Sequence, residues 1–319
     1  MKIAAVFPGQ GSQSPGMLSE LAQNFSIVKQ TFDEASAVLG YDLWDVAQNG
    51  TEEQQRETAI TQPLVFTGNL AVWRVWQESG LPQPVVMAGH SLGEYAALTA
   101  ASAIPFEAAV DLVHERARLM SEAVAPGVGG MAAVIGMDDE KLIELCEANS
   151  TEDSIVEAVN FNSPGQVVIS GHMAALEKLC TLAKEQGARK AMVLPVSVPN
   201  HSSLMQSAEA ALASKIESSG LTSPDVPVIQ NASASVPDNL SALVESLKKH
   251  VVSPVQWTNT VNRMTDYEVE AIVEIGPGKV LSGLSRRINK SMAAFATETP
   301  ALLDKAAAAL NTSGETHVG

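Results

Sequence analysis

The segment Gly89-His-Ser-Leu-Gly93 constrains this chain more than any other, because of what stands on either side of it. Pro84 to Ala88 is a short apolar run that reads as a buried strand, and Glu94 to Ala101 is a helix-forming stretch. Strand, tight turn and helix, with glycines two before and two after a serine, is the G-x-S-x-G pattern. So sharp a turn needs small flanking residues, and it lifts the Ser91 hydroxyl above a sheet at the N-terminus of a helix. There the backbone N–H of Leu92 points toward an oxyanion developing beside the serine.

The rest of the chain supplies the sheet. Ile3 to Phe7 reads as a buried strand ending in the loop Pro8-Gly-Gln-Gly-Ser-Gln13, and a helical region follows to about Leu39. Thr61 and Pro63 read as N-cap and first turn of a mostly apolar helix from Pro63 to Glu78. Another helix runs from about Pro105 to Val124 and ends in the loose Ala125-Pro-Gly-Val-Gly-Gly130. Between Met131 and Val196 the order changes to strand, helix, strand, strand, helix, strand, the ferredoxin-like arrangement. Beyond it lie a helix at His201 to Ser219, a strand at Val226 to Gln230, a helix at Asn239 to His250 and a strand at Ala271 to Ile275. Alternating strands and helices imply a mostly parallel sheet covered on both faces. The expectation is an α/β fold: a large α/β catalytic subdomain from residues 1–126 and 197–319, with a small ferredoxin-like (βαββαβ) subdomain at 127–196.

Composition narrows the partners. The formal charge is −16, which argues against a nucleic-acid partner, since phosphate binding needs a positive surface. The run Ile3 to Phe7 is too short for a signal-peptide core, and no stretch of about eighteen apolar residues occurs, so a cytoplasmic protein with no membrane contact is expected. Cys146 and Cys180 lie in helix-like apolar patterns and read as core residues rather than a disulfide or a metal pair. No metal site and no cofactor is expected.

A serine hydroxyl needs a base, and histidine is the usual one. Of the six histidines, His90 neighbours the serine but should point elsewhere, His114 sits in a long helix, His172 caps a helix and His317 lies in the tail. His201 and His250 remain. His201 is favoured because it follows a strand at the start of a helix, the end of an α/β sheet where sites form, although a purely capping role is compatible with the same spacing. No Asp or Glu announces itself as a third member of a triad.

Arg116 narrows the acyl group. Apolar residues at Ala109, Leu112, Val113, Ala117 and Met120 make one stripe of its helix, and the neighbours of Arg116 at i±3 and i±4 are Leu112, Val113, Leu119 and Met120. No carboxylate of its own helix can pair with it, whereas Arg118 has Glu115 and Glu122 within reach. An arginine on a core-facing stripe must find an acceptor elsewhere, and a substrate carboxylate would fit it in bidentate fashion. A structural arginine paired with a distant acid or with carbonyls is the alternative. The loop around Gln10 lacks the endings of a nucleotide-binding loop, but its glycines allow one N–H to turn toward Ser91 as a second oxyanion donor.

Taken together, Phe7-Pro-Gly-Gln-Gly-Ser-Gln13, Thr61-Gln-Pro63, Gly89-His-Ser-Leu-Gly-Glu94, Arg116, Asn160, His201, Pro254-Val-Gln-Trp257 and Glu274-Ile-Gly-Pro-Gly-Lys279 resemble the malonyl-CoA:acyl-carrier-protein transacylase family over nearly the whole chain. The resemblance implies a hydrolase-like α/β body, a Ser91–His201 dyad, an oxyanion hole from the N–H groups of Gln10 and Leu92, and a malonyl carboxylate on Arg116. It also implies Gln62, Met120 and Asn160 as substrate-binding residues, malonyl-CoA and acyl carrier protein as partners, and ping-pong transfer through a malonyl-serine. A backbone carbonyl, at His250, would orient the catalytic histidine in place of an aspartate. His250 is itself a departure, since the family commonly has Gln or Asn there, and its imidazole is a possible competing base. A serine thioesterase or esterase, and a polyketide acyltransferase using other extender units, are the rival readings. Lys184, Arg189, Lys190, Lys248, Lys249, Arg286, Arg287 and Lys290 are candidates for carrier docking.

Overall fold

The computed structural model describes residues 1–311, so His317 lies outside the described residues. Strands number β1 (Ile3–Phe7), β2 (Val86–Gly89), β3 (Gly129–Ile135), β4 (Val156–Ser163), β5 (Gln166–His172), β6 (Lys190–Val193), β7 (Val228–Ile229), β8 (Ala271–Glu274) and β9 (Ala293–Ala296). Two sheets result, a parallel one ordered β7-β2-β1-β8-β9 and an antiparallel one ordered β4-β5-β3-β6.

β1 shows why its sequence is apolar without alternation. Ile3, Ala5 and Phe7 face one core together with Phe66 and Trp76, while Ala4 and Val6 face a second core with Trp257 and Ile272. A central parallel strand buried on both faces has no polar side. The loops after β1, β2, β7 and β8 all leave the carboxyl edge of this sheet, where α/β proteins place their ligands.

The antiparallel sheet has its own core, with Ala132, Val134, Ile169, Leu176 and Leu179 at its centre. Its chain order is ferredoxin-like, with helices Asp139–Asn149 and Met173–Glu185 on one face. Register shifts between Ala158 and Asn160 and between Phe161 and Ser163 bend β4. That bend lets it hydrogen-bond the body: Phe161 N–H donates to the Val255 carbonyl at 2.9 Å, and Val255 N–H to the Val159 carbonyl at 2.7 Å.

One helix starts earlier than its sequence suggests. It spans Thr58–Glu78 with Glu57 as N-cap, and Pro63 sits inside it. The Thr61 hydroxyl does not cap; it bonds backward to the Gln55 carbonyl. The Glu57 carbonyl accepts from the N–H groups of Ile60 and Thr61, so the first turn closes before the proline removes a donor.

Candidate active site

Ser91 stands at the top of β2 with φ of 52°, a left-handed conformation that is uncommon for a residue with a side chain. The flanking glycines make that turn possible. A Cβ on Gly89 would lie 1.8 Å from the Gly93 carbonyl carbon, and one on Gly93 would lie 2.0 Å from the Phe7 oxygen. Gly9 approaches just as closely, its Cβ falling 2.4 Å from the His90 oxygen, and so the loop after β1 lies directly on the elbow. From the loop after β7, Asn231 Oδ1 accepts the Ser91 N–H at 2.7 Å. Its Nδ2 donates to the Gly89 carbonyl at 2.7 Å and to Glu94, whose Oε2 also accepts the Asn231 N–H at 2.6 Å.

His201 lies in the turn before the short helical segment Ser203–Met205, also at positive φ, 65°. Its Nε2 is 2.6 Å from Ser91 Oγ. Its Nδ1 faces two carbonyls, His250 at 3.1 Å and Ser253 at 2.9 Å. Carbonyls only accept, so Nδ1 carries the proton and a neutral ring presents its Nε2 lone pair to the serine hydroxyl.

Arg116, on the helix Phe106–Glu122, is 1% exposed. Its Nη1 donates to Gln62 Oε1, its Nη2 lies 3.5 Å from Ser91 Oγ, and its guanidinium carbon sits 5.3 Å from the Tyr95 ring centroid. Among the described residues no carboxylate comes within ion-pair distance of it, and its Nε is unpartnered, whereas Arg118 pairs with both Glu115 and Glu122. A cavity of about 260 Å³ opens between the two sheets, and Ser91, His201, Arg116, Gln62 and Asn160 all line it. The N–H groups of Gln10 and Leu92 border the same space, and neither finds an acceptor among the described residues. Asn160 Oδ1 is buried there without a partner. Met120 stands one layer back, its thioether 3.7 Å from Gln62 Nε2, and it fixes that amide rather than lining the wall. No group of three or more His, Cys, Asp or Glu side chains that could hold a metal occurs among the described residues.

Residues 5–305 match the family model described as an acyl transferase domain. The chain belongs to the acyl transferase family. This acyl transferase is 48% identical over 305 residues to the malonyl CoA-acyl carrier protein transacylase of Salmonella typhimurium, covering 96% of the chain and 98% of that relative. It superposes on the crystal structure of an acyl carrier protein S-malonyltransferase from Vibrio cholerae with a TM-score of 0.92 at 46% identity, covering 96% of the chain and 100% of that structure. A type II polyketide acyl-carrier protein in complex with its malonyl-transacylase matches with a TM-score of 0.94 at 45% identity, covering 97% and 100%.

Electrostatics in the acyl transferase site follow from burial. Desolvation, reinforced by the Arg116 cation, pushes His201 down to about 3, so the imidazole is neutral at physiological pH. The same two causes hold His250 well below the ordinary imidazole range. Burial pulls the Arg116 guanidinium downward, and it lifts Glu94 to about 8 against the opposing bonds from Asn231.

Three polar groups of the site escaped the reading of the sequence. Ser253, rather than His250 alone, holds His201, and Asn162 Oδ1 accepts from His90 Nε2 at 2.7 Å. Asn231 is the third, and one signal marks it: it stands two residues past β7, at the carboxyl edge of the parallel sheet. His172 stands at the N-cap position expected of it, but its Nδ1 accepts the Ile155 N–H instead of capping the helix.

Proposed function

We propose that this acyl transferase moves a malonyl group from malonyl-CoA to the phosphopantetheine thiol of an acyl carrier protein, by way of a malonyl ester on Ser91. His201 Nε2 takes the hydroxyl proton as Ser91 Oγ attacks the thioester carbonyl, and the oxyanion rests on the N–H groups of Gln10 and Leu92. Collapse expels the CoA sulfur, which receives the proton from His201. The carrier thiol then enters, gives its proton to His201 and attacks the serine ester; as the tetrahedral adduct collapses, His201 returns that proton to the departing Ser91 oxygen, and the hydroxyl and the neutral base are restored. Removing one oxyanion donor costs about 3 kcal/mol of transition-state stabilisation.

The observation that carries this reading is Arg116, a buried cation with no acid partner among the described residues, beside the serine hydroxyl. An acyl group ending in a carboxylate supplies its missing partner, with Gln62 holding the guanidinium and Asn160 offering an amide across the cavity. Ordinary fatty-acyl esters would leave the cation desolvated and unpaired, which disfavours the esterase alternative. Two free buried thiols, Cys146 and Cys180, accord with a cytoplasmic location, and no helix among the described residues is long and apolar enough to cross a membrane. Of the carrier-docking candidates, Arg287 donates to Gln166, which lines the cavity.

Arg116→Ala tests the assignment. Malonyl transfer is expected to fall far more than any residual acetyl transfer measured with the same carrier protein. Equal losses for both acyl groups would remove the carboxylate anchor.

A further inference from the structure

Glu94 is fully buried, and it forms no ion pair with Lys or Arg among the described residues; His250 Nε2 stands 3.8 Å from its Oε2. Placing a carboxyl group there is costly unless hydrogen bonds compensate. The bonds it makes run to a single residue, Asn231, through both its N–H and its Nδ2. Asn231 is 2% exposed, and its side chain spans the elbow from outside, accepting from Ser91 N–H and donating to the Gly89 carbonyl.

The amide can sit only one way. Flipped, its oxygen would face the Gly89 carbonyl and the Glu94 carboxyl, and its NH2 would face the Ser91 N–H. Glu94 therefore fixes Asn231, and Asn231 ties together the residues on either side of His90. Ser91, at φ 52°, is the one point of that turn where a side chain is held in a sparsely populated conformation. Without Asn231, the Ser91 N–H would be left without its acceptor, and the turn would relax toward commoner backbone angles. The hydroxyl would then leave its 2.6 Å contact with His201 and its place beside the two free N–H groups.

We infer that Asn231 and Glu94 are a positioning pair for this reaction, a clasp that holds the Ser91 turn in its left-handed form and so aims the hydroxyl. The inference rests on Ser91 being the nucleophile. It assigns no contact with substrate to either residue.

The test follows the reactivity of the serine itself, by the rate of labelling with a serine-directed phosphonate, alongside kcat and KM for malonyl transfer. In Asn231→Ala the labelling rate and kcat are expected to fall together by about 10²-fold, the scale of loss from a misplaced reacting group. KM for malonyl-CoA should stay within about threefold, because Arg116 and Gln62 are untouched. Glu94→Gln keeps an acceptor oxygen for Asn231 and is expected to retain far more labelling than Glu94→Ala. A folded Asn231→Ala enzyme that labels within about twofold of the parent overturns the clasp. Should Asn231→Ala fail to fold, the Glu94 pair decides, since equal rates for Gln and Ala would equally overturn it. Failure of the parent to label at all would instead refute the nucleophile.

Discussion

Two turns meet in the site, and they are held in opposite ways. The Ser91 elbow and the His201 turn each place a non-glycine residue at positive φ, 52° and 65°. Around Ser91 close packing does most of the fixing: Gly89, Gly93 and, from the loop after β1, Gly9 leave no room for a Cβ, a strand and a helix clamp both ends, and Asn231 accepts the Ser91 N–H. Around His201 the fixing comes from far along the chain, through the carbonyls of His250 and Ser253 and the packing of its ring 5.4 Å from that of His250. The nucleophile's turn is shaped by close steric contacts and closed by one asparagine side chain, whereas the base is held by two distant backbone carbonyls. Substitutions of the elbow glycines should therefore damage the fold and the chemistry together, and substitutions near the base the chemistry alone.

Gly93→Ala has the largest expected effect. Its Cβ would meet the Phe7 carbonyl oxygen at 2.0 Å, backbone against backbone, so the elbow cannot form while β1 stays in register. Both cooperative thermal unfolding at the parental temperature and malonyl transfer should be lost, and a stable, active variant would break the contrast at its stronger end. His201→Ala comes next, with a fall in kcat of roughly 10²- to 10⁴-fold and little change in melting temperature.

The pH profile of the parent sharpens the same point. Because burial and Arg116 push His201 down, the base stays unprotonated as pH falls through the ordinary imidazole range, and the loss of base belongs near about 3. Thus kcat/KM should be nearly flat from about pH 7 to about pH 5, and an acid limb centred near the free-imidazole value of about 6.5 would contradict the buried base. His250→Gln carries the smallest effect. The contribution of His250 is its carbonyl, and both imidazole nitrogens are buried without hydrogen-bond partners, so kcat should move by less than about threefold. A larger loss, or a shifted pH profile, would show the imidazole taking part.

The contrast also explains which features were legible in the sequence. Gly89-His-Ser-Leu-Gly93 announces itself because the sterics that require its glycines act within a few residues and on the adjacent strand. Arg116 was legible because helical periodicity alone puts it on an apolar stripe without an acid. The strand and helix order of the antiparallel sheet came through for the same reason, each element being short and locally patterned. What depends on distant partners did not come through. Ser253 acts by its carbonyl, which every residue has, and Asn231 is an ordinary asparagine until the fold brings it against Gly89 and Ser91. Thr61 misled because a threonine two before a proline looks like a cap, while its hydroxyl is taken by the Gln55 carbonyl.

The most direct measurement is intact-mass spectrometry of the enzyme after brief incubation with malonyl-CoA and no carrier protein. The parent should gain the mass of one malonyl group, lose it again when carrier protein is added, and Ser91→Ala should gain nothing. An adduct that persists in Ser91→Ala, or a parent that never acquires one, would contradict a malonyl-serine intermediate at the elbow.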